Sequence, residues 1–231
     1  MTDRLKPLLL ALLAPLLLWG CVITPGKFVS TLTVLADRSF TFTYAGEVWA
    51  EDMERALASG DGEKTAEDRA DDKKKAAERE RKNATIAEAL RKEAGYNRVD
   101  YLGEGRFAID YAISGRLTHN FIYPFNVDAQ AIIPFLAIEL RGKDAVRVKA
   151  PAFANERQDA GLGGMMDPTG GKGATDRLDG TFTLVTDAGI VSQNSEDGAT
   201  PGSDGRRSIA WKATPLTRDA PMAVLKLAPL P

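Results

Sequence analysis

Apolar side chains recur at every second position in residues 27–35 and again in 40–49. In the first run Phe28, Ser30, Leu32 and Val34 stand opposite Val29, Thr31, Thr33 and Leu35. In the second, Phe40, Phe42, Tyr44 and Val48 share one face, and Thr41, Thr43 and Glu47 the other. A repeat of two is the repeat of a strand, whose side chains alternate between faces, and it scatters around a helix. The polar stretch Ala36-Asp37-Arg38-Ser39 joins the runs, so residues 27–49 are expected to form a β-hairpin. Gly46 interrupts the apolar face and marks a place for a bulge.

Composition changes abruptly after the hairpin. Residues 51–59 have helical character and stop at Gly60-Asp61-Gly62. Residues 63–94 are dense in Ala, Glu, Lys, Asp and Arg, with Asp71–Lys75, Glu78–Lys82 and Glu88–Lys92 spaced and oriented as favourable i,i+4 ion pairs. Only the end carries larger apolar residues, Ile86 and Leu90, and Gly95 is a natural stop. The pattern predicts a helical insert over 50–95, centred on a long charged helix that docks only by its C-terminal turns. Such a helix is either a solvated face or an arm for a partner.

Strand patterns return at 99–102, 106–114, 131–141, 145–150, 181–186, 190–193, 207–213 and 223–227. Turns are expected at Gly103-Glu104-Gly105, Gly142-Lys143-Asp144 and Asp187-Ala188-Gly189. A hairpin, a helix, then strands in adjacent hairpins without a repeating βαβ rhythm predict an α+β fold: an antiparallel sheet with an inserted long charged helix. Residues 154–180, rich in Gly and nearly free of large apolar side chains, read as a flexible loop. About 210 residues beyond the N-terminal segment suffice for one domain, 21–231.

That N-terminal segment has its own logic. Arg4 and Lys6 precede an almost pure Leu, Ala and Pro run from Pro7 to Leu18, followed by Trp19, Gly20 and Cys21. As a helix, Pro7 to Gly20 would reach about 21 Å at ~1.5 Å per residue, short of the roughly 30 Å of a bilayer core. A positive start, a short apolar stretch and a small residue before a cut make residues 1–20 a signal peptide rather than a span. Leu18-Trp19-Gly20-Cys21 resembles the lipobox of bacterial lipoproteins, with Trp19 standing where a smaller residue is usual. The resemblance implies cleavage between Gly20 and Cys21 and lipid on Cys21. Val22, in place of the Asp that marks inner-membrane retention, implies the periplasmic face of the outer membrane. Cys21 is the only cysteine, so no internal disulfide is available.

Motifs for catalysis are sparse. His119 is the only histidine, too few for a zinc site built on His and Cys. Ser114 lies near it in sequence, but no Gly-x-Ser-x-Gly elbow occurs. The glycines of 161–173 lack the Ser or Thr that follows Lys in a phosphate loop. Asp110 sits in an apolar strand but opposite Phe107, Ile109 and Tyr111, hence facing solvent. The formal net charge of −2, with a leader that itself carries Arg4 and Lys6, argues against nucleic acid as a partner. Two groups remain as ligand or partner contacts: the aromatics Phe121, Tyr123 and Phe125, which either line an acyl cavity or pack the core, and Met165 and Met166 of the Gly-rich loop.

Two stretches resemble known lipoproteins. Cys21-Val22-Ile23-Thr24-Pro25-Gly26-Lys27-Phe28 with the hairpin Asp37-Arg38-Ser39-Phe40-Thr41-Phe42-Thr43-Tyr44 is similar to the opening of a proteobacterial lipoprotein family of unknown function. Asn194 after a strand, then Gly205-Arg206-Arg207-Ser208-Ile209-Ala210-Trp211, is similar to the end of the mycobacterial LppM-type domain. The charged insert departs from that type. The resemblance implies an envelope lipoprotein of mixed sheet and helix that binds lipid, and it supplies no catalytic residues. The expected function is therefore a membrane-anchored, non-enzymatic envelope protein without cofactor or metal, binding lipid or another envelope component. An assembly partner acting through helix 63–94 is the alternative, and a hydrolase comes third.

Overall fold

The protein is described from a computed structural model covering residues 21–52, 65–124, 134–155, 176–202 and 204–230. The expected hairpin is there, and longer than its pattern. Strands β1 (Cys21–Val34) and β2 (Ser39–Asp52) pair antiparallel from Cys21 opposite Asp52 to Val34 opposite Phe40. Glu51 and Asp52 therefore belong to a strand, not to the expected helical stretch, because their backbones pair with Val22 and Cys21. The register slips between Pro25 and Phe28, opposite Gly46. A Cβ on Gly46 would lie 2.3 Å from the Lys27 carbonyl oxygen, so the bulged strand passes only because this residue has none.

Helix α1 (Ala66–Leu90) starts at a capping box: the Thr65 hydroxyl accepts from the Asp68 amide at 3.2 Å, and the Thr65 amide donates to the Asp68 carboxylate at 2.9 Å. Its exposed first turns carry the Asp71–Lys75 pair at 4.0 Å. Only its second half docks. Ala87 is buried, Ile86 and Leu90 pack on the core, and buried Asn83 reaches the Tyr101 hydroxyl at 3.4 Å.

The remaining strands are β3 (Tyr96–Gly103), β4 (Arg106–Arg116), β5 (Phe121–Tyr123), β6 (Leu136–Arg141), β7 (Ala145–Lys149), β8 (Asp179–Thr186), β9 (Gly189–Gln193), β10 (Ala199–Pro201), β11 (Arg207–Ala213) and β12 (Met222–Lys226). They form a seven-stranded sheet in the order β10-β11-β8-β1-β2-β4-β3 and a five-stranded sheet in the order β5-β6-β7-β12-β9.

This corrects the expected α+β fold. The described chain is largely β, twelve strands in two sheets with one α-helix. The charged helix adds a partial cover at the β3 edge rather than a layer, because only a few of its residues are apolar enough to bury. Nor is the large sheet wholly antiparallel: β1 and β8 run parallel, from Lys27 opposite Asp179 to Val34 opposite Thr186.

The two sheets bury one common core. Phe28, Leu32 and Val34 of β1, Phe42 and Tyr44 of β2, Phe182 and Leu184 of β8, and Ile209 of β11 face Leu136 and Ile138 of β6, Val146 and Val148 of β7, and Leu225 of β12. Each such side chain contributes about 1.5–3 kcal/mol by leaving water. Asp110 is exposed on the opposite face from Phe107, Ile109 and Tyr111, as its alternation requires.

The β1–β2 turn holds a surprise. Arg38 is buried at 2 % exposure, with φ 76°. Its guanidinium donates to the carbonyls of Ala228 at 2.6 Å, Leu117 at 3.1 Å and Lys143. Three distant segments are thus tied at the end of the sandwich opposite Cys21.

Candidate functional site

Cys21 is the first residue of β1, and β1 lies in the middle of the large sheet between β8 and β2. Three residues on, about 10 Å along a strand at ~3.3 Å per residue, Thr24 pairs with Trp49. The outward-facing Trp49 ring lies over Gly26, where a Cβ would come within 2.7 Å of its Nε1. Arg177 sits 4.2 Å from the ring centroid, and Arg106, in register with Trp49 on β4, sits 5.6 Å away. A guanidinium over an indole face is attracted by the ring quadrupole. Glu47 holds Arg106 at 3.7 Å. Trp49 Nε1 and Thr24 Oγ1 are buried without a hydrogen-bond partner among the described residues. The Cys21 end of the sheet thus carries one outward-facing indole flanked by two arginines.

The second group lies between the sheets. Tyr123 is 2 % exposed and its ring touches those of Phe42, Tyr44, Tyr111 and Phe135 at 4.5–6.0 Å. Phe121 packs on Phe40 at 5.1 Å and Phe42 at 6.0 Å. The ring contacts continue through Phe135, Phe153 and Phe182 to Trp211. These rings pack on one another between the sheets, and the structure places Phe121 and Tyr123 in that packing. Burial pushes the Tyr123 and Tyr44 phenols well above their ordinary value and raises Tyr111. Tyr96 is pushed up to about 12, first by burial and then by the neighbouring Tyr111. Desolvation disfavours the phenolate, so all four resist ionisation beyond the ordinary phenol range.

The remaining candidates are dispersed. His119 is exposed, its Nδ1 3.1 Å from the Thr118 hydroxyl, while the Ser114 hydroxyl meets Thr41 at 2.9 Å instead. No three His, Cys, Asp or Glu residues gather to hold a metal among the described residues. Gly20 and the rest of residues 1–20, Phe125, Met165 and Met166, and most of the Gly-rich stretch 154–180 lie outside the described residues. Sequence reasoning missed the pairing of Trp49 with Arg177, since no local pattern links residues so far apart. Gly26 is the one local signal, a position without a side chain in an otherwise bulky strand.

No family model matches the sequence, and no curated protein matches it. Among solved structures, the chain has a weak structural neighbour in the folded domain of the Mycobacterium tuberculosis LppM protein, solved by NMR: 14 % identity over 90 % of this chain and 92 % of that one, at a TM-score of 0.32. No helix among the described residues is long and apolar enough to cross a membrane.

Proposed function

We propose that this protein is a lipid-anchored envelope protein, held by Cys21 at the periplasmic face of the outer membrane, whose β-sandwich binds another envelope component and performs no chemistry. The observation that carries the reading is the position of Cys21. The only cysteine of the chain follows a short apolar leader and opens a central strand, with no linker between anchor and sheet. Lipid on that thiol would hold the end of the large sheet at the bilayer, and Trp49 with its two arginines would sit at headgroup depth, where Trp and Arg side chains are favoured. One acyl chain anchors marginally and two or more anchor firmly.

The packed rings around Tyr123 direct the binding role to the outer surfaces rather than to an acyl cavity between the sheets. The Ser114 hydroxyl bonds to Thr41 and the His119 ring to Thr118, which supports a role other than hydrolysis. Metabolic labelling with a palmitate analogue, followed by membrane fractionation, tests the anchor. The chain should be labelled, membrane-bound and shortened to begin at Cys21, and Cys21→Ser should be unlabelled and uncut. A labelled or membrane-bound, fully processed Cys21→Ser chain overturns the reading.

A further inference from the structure

The outer face of the large sheet, the one turned away from the core, carries a pattern that neither the core nor the anchor uses. Across β11, β8, β1, β2 and β4 the register aligns its residues in rows. The middle row reads Ala210, Thr183, Thr31, Thr43, Ala112. The row nearer the β1–β2 turn reads Ser208, Val185, Thr33, Thr41, Ser114. The row nearer Cys21 reads Lys212, Thr181, Val29, Ala45, Asp110. β1 stands at the centre of each row, and the two rows nearer the turn read the same from either end but for Val185 opposite Thr41. Among these fifteen positions only Lys212 and Asp110 are charged, in a chain with 27 % charged residues. They stand at opposite ends of one row, both exposed. Val29, at the centre, is 62 % exposed.

We propose that this face is the interface of a symmetric dimer whose two-fold axis runs along β1. Rotation about that axis exchanges β8 with β2 and β11 with β4. It lays Val29 on Val29 and brings Lys212 of each copy over Asp110 of the other, an isologous, self-complementary contact. Small β-branched side chains without charge suit two sheets packed face to face at ~10 Å. Five strands at ~4.8 Å and three rows at ~6.8 Å make about 490 Å² per copy. The pair thus buries about 1,000 Å², the lower bound for a specific interface. The same axis keeps both Cys21 residues at one end, so two anchors enter one bilayer. This last point rests on the proposed anchor, whereas the pairing of charges does not. Confinement to a membrane raises the effective concentration of the second copy, which suits a contact of modest area.

The test uses the full chain in its native membrane, with Val29→Cys on the axis and a bis-maleimide of ~10 Å span, matched to packed sheets. The expected product is twice the mass of the chain. Asp110→Lys should lower its yield at least about tenfold by setting like charges face to face, Lys212→Asp likewise, and the double exchange should restore it. Three results overturn the dimer: no product from Val29→Cys, an equal yield from Leu216→Cys on a different exposed site, or a product whose mass reports another protein. Fractionation of the same sample reads the anchor independently, so a soluble chain that still cross-links overturns the anchor and leaves the dimer standing.

Discussion

The guanidinium of Arg38 donates a hydrogen bond to the carbonyl oxygen of Lys143, 105 residues further along the chain. The same side chain binds the carbonyls of Leu117 and Ala228, so one arginine closes the ends of β4, the β6–β7 turn and the C-terminal segment. It is compensated by carbonyl dipoles, with the Asp144 carboxylate close enough to feel it. That carboxyl is held below its ordinary range first by its hydrogen bond to Lys226, and Arg38 adds to the effect.

Arg38→Ala should therefore destabilise the fold by about 3 kcal/mol, since a hydrogen bond from a charged donor contributes about 1.5–3 kcal/mol and the abandoned carbonyls are partly buried. Arg38→Lys should recover only part of this, because an ammonium cannot reach three diverging carbonyls in one plane. Urea unfolding reads both, and a loss under about 1 kcal/mol for the alanine variant would refute the clamp.

Asn194 makes a similar tie between the two sheets. Its side-chain oxygen accepts from Trp211 Nε1 at 3.0 Å and from the Met222 amide at 2.8 Å, and its amide nitrogen donates to the Ala220 carbonyl at 2.8 Å. Asn194→Ala leaves the indole N–H without an acceptor and should cost about 2 kcal/mol. Asn194→Asp keeps the acceptor but loses the donor to Ala220, and should fall between the two. Chemical denaturation gives the order wild type, Asp, Ala.

The tyrosine cluster predicts a limit to stability at high pH. Folding raises the Tyr96 phenol to about 12 from its ordinary 10.0, with Tyr44 and Tyr123 also raised well above that value. A group whose pKa is raised on folding contributes stability that is complete below its unfolded value and fades as the pH climbs to its folded value. Stability should thus hold up to about pH 10 and fall steeply between 10 and 12. Phenolate absorbance followed alongside circular dichroism should show ionisation and unfolding together. Ionisation of all the tyrosines near pH 10 in a chain that stays folded would contradict the packing.

For α1, the docking of its second half alone predicts a gradient of hydrogen exchange. Amides near the capped start, around Asp71, should exchange faster than those around Asn83 and Ala87. Ala87→Arg, which forces a long charged side chain into a site only 1 % exposed, should remove the gradient while the sheets stay protected. Uniform protection along the native helix would mean that its first turns are covered.

Much of the local architecture was legible. The alternation of Phe40, Phe42 and Tyr44 against Thr41 and Thr43 assigned the buried face of β2, and the single polar position at Asp110 assigned that of β4. The charged helix was legible too, including its docking by Ile86 and Leu90. Less was legible at the site. Phe121 and Tyr123 are apolar at strand spacing whether they line a cavity or fill it, and only the neighbouring rings distinguish the two. Arg38 has the composition of a turn residue, and its burial depends on three carbonyls brought from elsewhere.

The sequence by itself determined which sides of β2 and β4 face the core, where several turns fall, and that the only thiol follows a short apolar stretch. These are properties of residues within a few positions of one another, carried by the strand and helix periods. Only the tertiary structure decided that β1 pairs parallel with β8, that the strands divide into two sheets, and that Lys212 and Asp110 stand two strands either side of β1 in one row. Those relations join segments far apart in sequence. Local periodicity is the same for every partner a strand could take, and the partner is chosen by packing over the whole core.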